Sequence, residues 1–152
     1  MKKADLEEPP LINIERNPIV LISSLILTLG LGYLTYKNLF AKDVMDINPL
    51  AFFLCVPTAI LAFQTLWFLL NPFALIYEDR FEIKWSFFGS GVWYFIDFNK
   101  AGINAKKAIV LNYNDGETCK LKLFGIKTGH IPLLFQEITN GISASLTNRA
   151  QQ

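Results

Sequence analysis

The sequence is short of the residues that chemistry usually needs. Its single histidine is His130, and its two cysteines, Cys55 and Cys119, belong to no CxxC pair, so the ligands for a metal site are missing in number and in spacing. Cys55 falls in an apolar run and Cys119 in an alternation of polar and apolar residues, which places them in different phases and argues against a disulfide. Both read as small buried hydrophobes. Net charge is nearly absent as well: 14 basic against 13 acidic side chains leave +1, too little for a field that would gather nucleic acid or an acidic substrate. Ser86, Ser90 and Ser143 have no histidine placed to activate them, and His130 stands at a helix start. The glycines of Gly89-Ser90-Gly91 lack the Gly-Lys-Ser/Thr and the following helix of a phosphate loop. The carboxylates Glu78, Asp79, Glu82, Asp97, Asp115 and Glu117 fall at turns or on solvent faces. The chain is therefore read as not an enzyme, with no catalytic, cofactor-binding or metal-ligating residue expected.

Apolar residues are what the chain has in excess. They make up 52% of it, and a mean hydropathy of +0.33 exceeds what an ordinary soluble domain carries, so part of the chain belongs in lipid. No charged side chain occurs from Asn17 to Tyr36, and Ile19-Val20-Leu21-Ile22 followed by Leu25-Ile26-Leu27 is apolar on every face. That predicts a spanning helix, which needs about 20 such residues. A second uncharged stretch runs from Ile47 to Tyr77, with its helix expected from Pro49 to Leu70 and Pro57 inside it as a kink. Tyr33, Tyr36, Trp67 and Phe68 lie near the ends of these runs, where aromatic rings favour the headgroup level. The first run is too long for a signal core, and Lys37 and Asn38 follow it where a cleavable signal would carry small residues. A helix pair buried in a soluble core would show a polar face, and neither run does. Lys2, Lys3, Arg16, Arg80 and Lys84 flank the pair on one side, against Lys37 and Lys42 on the other. The expected placement is the cell (inner) membrane with both termini cytoplasmic.

Within the spans, Ser23, Ser24, Thr28, Gly30 and Gly32 supply small residues for close helix approach, and Gln64 is expected to hydrogen-bond across the pair. Neither span holds Asp, Glu, Lys or Arg, which speaks against a transport pathway.

After the second span the pattern changes to alternation. Ala74–Glu78 reads as a strand, Glu78-Asp79 as a turn, and Phe81, Ile83, Trp85 and Phe87 alternate with polar residues as a second strand broken at Gly89-Ser90-Gly91. Val92–Phe98 is expected as a third strand ending at Asn99–Gly102, and Ala108–Tyr113 as a fourth. Asn114-Asp115-Gly116 predicts a tight hairpin returning through Thr118–Phe124 with Leu121 and Leu123 inward. Ile131, Leu134, Phe135, Ile138 and Ile142 then share one helical face. Trp93 or Phe95, Leu121, Leu123, Phe135 and Ile138 are expected to meet in one core.

This order, with Asn71-Pro72-Phe73-Ala74-Leu75 leading into the first hairpin, Trp93–Phe98 as a Trp-x-x-Ile-like third strand, the Asp115-Gly116 turn and the closing helix, resembles small bacterial membrane proteins that carry two transmembrane helices and one pleckstrin-homology-like domain. The resemblance spans about residues 18 to 146 and implies the fold class: membrane α + β, a two-helix transmembrane hairpin followed by a pleckstrin-homology-like antiparallel sheet capped by a C-terminal helix. The expected divisions are an N-terminal cytoplasmic tail over 1–17, the hairpin over 18–71 with helices at about 18–37 and 49–70, the β domain over 72–146 and a tail over 147–152. The family offers no catalytic residues to carry over.

The one suggestive side-chain set is basic. Lys106 and Lys107 open the fourth strand, and Lys120 and Lys122 alternate outward on the strand expected to pair with it. Two functions follow as expectations. The first is an adaptor or scaffold whose exposed sheet edge or basic face binds another protein or a second copy. The alternative is a module whose lysines Lys106, Lys107, Lys120 and Lys122 read anionic lipid or phosphate headgroups, against the plainer reading of lysines that guard a solvated strand face. No cofactor and no nucleic acid are expected as partners.

Overall fold

The computed structural model describes residues 9–40, 49–104 and 108–151. They divide into two compact units: Asn17–Asn71 together with Ser86–Phe88 form one, and the residues up to Arg16, Pro72–Trp85 and those from Gly89 onward form the other.

The first unit is built on helices α1 (Pro18–Phe40) and α2 (Pro49–Leu70), both long and apolar enough to cross a membrane. Asn17 starts α1: its side-chain oxygen accepts from the Ile19 amide at 3.0 Å, and Pro18 loses nothing at a position whose amide has no helical partner. The helices meet along a hydroxyl seam. Ser24 and Thr28 lie 2.6 and 2.9 Å from the Thr65 hydroxyl, and Thr35 lies 2.8 Å from that of Thr58. Ser24, Thr35 and Thr65 are buried, whereas Ile22, Ile26, Leu29, Phe53, Phe63 and Leu70 face outward. Polar groups inside and apolar groups outside invert the order of a water-soluble helix pair. Gly32 belongs to this seam, where an added Cβ would touch Thr58; Gly30 does not, having nothing within reach. Gln64 also departs from expectation, because its side-chain oxygen accepts from the Phe87 backbone amide at 3.1 Å and the interhelical bonds come from serine and threonine.

The second unit begins before the helices. Residues 12–14, expected in a tail, form strand β1 (Ile12–Ile14), which pairs antiparallel with β2 (Ala74–Ile76) through Ile12 and Ile76, Asn13 and Leu75, and Ile14 and Ala74. β3 (Arg80–Ser86) and β4 (Gly89–Tyr94) complete a sheet ordered β1-β2-β3-β4. Gly89-Ser90-Gly91 thus opens a strand where a break was expected. The expected third strand is divided. After Tyr94 a one-turn 3-10 helix (Phe95–Asp97) turns the chain, and β5 (Phe98–Ile103) starts a second sheet, so Asn99–Gly102 is strand. The turn has a packing reason: Phe95 and Phe98 are both buried, and a three-residue turn brings both to one side where strand alternation would oppose them.

β5 pairs with β6 (Ile109–Tyr113), and β6 with β7 (Thr118–Lys120), shorter than the return expected to Phe124. Gly116 takes φ +91 in the intervening turn, and the Asp115 carboxylate accepts from the Glu117 amide at 2.9 Å. α3 (Ile131–Ala150) closes the unit and takes in most of the expected C-terminal tail. Its residues Leu134, Ile138 and Ile142 are buried with Ile14, Phe73, Phe81, Ile83, Phe95, Phe98, Ile109, Leu111 and Leu121. Trp93, Leu123 and Phe135 pack against this core half-buried, so the expected meeting of helix face and sheet is present. The α+β layout is that of two antiparallel sheets and a C-terminal helix.

Candidate interaction surfaces

Three surfaces of the β unit bear on function. The first is the outer face of β5-β6-β7. Lys120 stands opposite Val110, two residues along β6 from Asn112, which stands opposite Lys100; Lys100, Lys120 and Lys122 are exposed. The period of two puts Lys100 and Lys120 on the face opposite the buried Ile109 and Leu111. Lys106 and Lys107 lie outside the described residues. Lys100 is a basic residue of this face that sequence reasoning passed over, because it sat in an expected loop.

The second surface adjoins the points where the chain enters and leaves the helical pair. Arg16 is buried beside Phe73, with its guanidinium 5.8 Å from that ring. It donates to the backbone carbonyls of Lys84 at 2.6 Å, Pro72 at 3.3 Å and Trp85 at 3.5 Å. Burial pulls its pKa down to about 10, which leaves it charged at neutral pH. Arg16 also bridges to Ile126 along the backbone, next to Gly125 at φ +96. The Trp85 indole N–H in turn donates to the Lys122 carbonyl at 2.7 Å. One buried cation therefore ties the end of β1 to the start of β2 and the end of β3, and Trp85 links that knot to Lys122, just past β7. No motif marks Arg16 in sequence; its signal is the Ile12, Ile14, Arg16 alternation.

The third surface is a groove of about 490 Å³ between α3 and the 3-10 turn. Its apolar part is Phe95, Gly141, Ala144 and the exposed faces of Tyr94 (47%) and Ile96 (54%). Glu78 and Asp79 stand on its rim, as do Asn148 and Arg149. The Ser145 hydroxyl lies 2.8 Å from the Ile142 carbonyl within α3 and 3.3 Å from the Phe95 carbonyl. Gly141 lines the groove where α3 meets Phe95. A Cβ there would stand 2.5 Å from the Phe95 ring, so the helix can approach the turn only without one. The sequence signals Gly141 only as a weak point in a helix.

Among the described residues no group of three His, Cys, Asp or Glu is disposed to hold a metal ion. Cys55 and Cys119 are free thiols. The chain matches no family model, no curated protein and no solved structure.

Proposed function

We propose that this chain is a membrane-anchored, non-enzymatic adaptor, whose α1 and α2 cross the cell (inner) membrane and whose pleckstrin-homology-like β domain takes a protein segment in the α3 groove at the cytoplasmic face. The groove carries the reading. It combines an apolar floor, exposed Tyr94 and Ile96, and charged groups of both signs at its rim, which is the chemistry that seats an apolar anchor flanked by polar residues. The inverted polarity of the helix pair supports the membrane assignment. Two antiparallel sheets followed by one helix support the fold reading. The Lys and Arg count supports cytoplasmic termini.

A photo-reactive benzophenone amino acid at Ala144 of the full chain, in living cells, tests the groove. Adducts with one protein species that disappear with Ile96→Asp are expected; adducts of twice the chain's mass identify self-assembly as the form of capture. The same adducts from a control position at Asn99 on β5 would refute the groove.

A second reading has its own observation. Lys122 is joined through Trp85 to the Arg16 knot, a single residue ahead of Asn17, where the helical pair begins. On this reading Lys122 meets the headgroups, where each lysine contributes on the order of 1 kcal/mol with anionic lipid. Native mass spectrometry of the full chain should then show anionic lipid retained over zwitterionic lipid, and Lys120→Gln with Lys122→Gln should erase the preference. Equal retention of both lipids would reject it.

A further inference from the structure

The turn that joins β3 to β4 is Phe87–Phe88. Such two-residue connections ordinarily carry Asn, Asp or Gly, because those residues suit the turn and face water. Here both positions are aromatic and outward: Phe87 is 52% and Phe88 75% exposed, stacked edge to face with 5.1 Å between ring centroids. The turn groups with the helices, and Phe87 donates its backbone N–H to the Gln64 side chain of α2 at 3.1 Å. Gln64 lies six residues before Leu70, about 9 Å from the end of α2 at 1.5 Å per residue. That is below the headgroups if α2 spans a bilayer, on a part of the helix whose Phe63, Leu66 and Leu70 are exposed.

A backbone N–H at that depth has no water to bond and must find an acceptor in the protein. Gln64 supplies it, which gives a function to the strongly polar side chain inside the span. The aromatic side chains make no such demand and are left facing outward. In a water-soluble position the same arrangement would expose two phenylalanines and spend a glutamine on a turn that water satisfies.

We propose that the Phe87–Phe88 turn is a third membrane contact, inserted among the lipid acyl chains just below the headgroups and fixed at that depth by Gln64. The proposal rests on the reading that α1 and α2 span a bilayer. Its consequence is a lipid contact at the β3–β4 turn in addition to the two spans.

The test uses the full chain in proteoliposomes, with Cys55→Ala and Cys119→Ser removing the native thiols. An environment-sensitive dye is placed on one new cysteine at a time: Phe88→Cys at the tip, Leu27→Cys within α1, and Asp115→Cys on the β6–β7 turn. Lipids brominated near the headgroup or deep in the acyl chain serve as quenchers. The expected result is a blue-shifted dye at 88 that loses its fluorescence to shallow bromines more than to deep ones. The dye at 27 is quenched chiefly by deep bromines, and the dye at 115 by neither. Quenching at 27 without quenching at 88 overturns the insertion and leaves the spans intact. A blue-shifted dye at 88 that bromines do not quench means that protein covers the tip, and this also overturns it. Loss of quenching at both 27 and 88 overturns the membrane reading and the insertion with it. Phe87→Cys, read the same way, covers the case in which the Phe88 variant misfolds.

Discussion

Gly141 and Phe95 make an exacting contact in the β unit. With the ring 2.5 Å from where a Cβ would stand, Gly141→Ala must push α3 away from the 3-10 turn. Alanine is the better helix former by up to about 1 kcal/mol, but overpacking costs about 1–3 kcal/mol, so the packing cost wins. A lower midpoint in chemical denaturation is expected; a stabilised protein would mean that the helix and the turn are not in contact. Arg16 is the second demanding residue. Arg16→Met keeps the stem and removes the donor, and hydrogen bonds to a charged group contribute about 1.5–3 kcal/mol, so a loss in that range should appear in denaturation. The pH dependence has a definite sign. Because burial lowers its folded pKa to about 10, below the unfolded value, the part of stability linked to Arg16 protonation rises only as pH climbs through about 10 and above. Between pH 6 and 9 Arg16 adds no slope to stability.

At the scale of elements, α3 holds the sheets through Leu134, Ile138 and Ile142, all buried, while Phe135 is half-buried. Ile138→Ala should therefore cost about 2–5 kcal/mol, and Phe135→Ala less than the 3–5 kcal/mol of a fully buried phenylalanine. The reverse order would place the helix on a different face. In the helical pair, Thr65→Val removes hydroxyl contacts to Ser24 and Thr28 and keeps the volume. A loss of about 0.6–2 kcal/mol in helix association is expected, measured by energy transfer between labels on α1 and α2 in detergent. Both long helices were legible because some 20 uncharged residues have few alternatives. The α3 face was legible from its period, and the β6–β7 turn from Asp115-Gly116. β1 was not, since three residues ahead of a long apolar run carry too little alternation and their partner lies beyond both helices. The division of Val92–Phe98 was hidden because nearly every residue in it is apolar, so alternation and a three-residue turn read alike. The site was half legible. The exposure of Lys120 and Lys122 follows from alternation, whereas the groove is lined by Gly141 and Phe95, whose contact no local pattern records.

At the scale of the whole molecule, the chain is a β domain interrupted by a helical hairpin. Because β1 precedes α1 and pairs with β2 after α2, both ends of the hairpin are stitched together outside it, and Arg16 locks the stitch. Reporter fusions test the orientation: a fusion after Gln152 should report cytoplasm and one between Asn38 and Asn48 the opposite side, and the reverse pattern would invert the topology. The interrupted domain itself is tested most directly by joining residues 9–16 to residues 72–152 through a short flexible linker and comparing the product with 72–152 alone in urea denaturation. The joined chain should unfold in one cooperative transition and the shorter one should show none, because it lacks Ile14 in the core, the edge strand on β2 and the Arg16 bonds. Cooperative unfolding of 72–152 alone, at the same midpoint, would contradict the account.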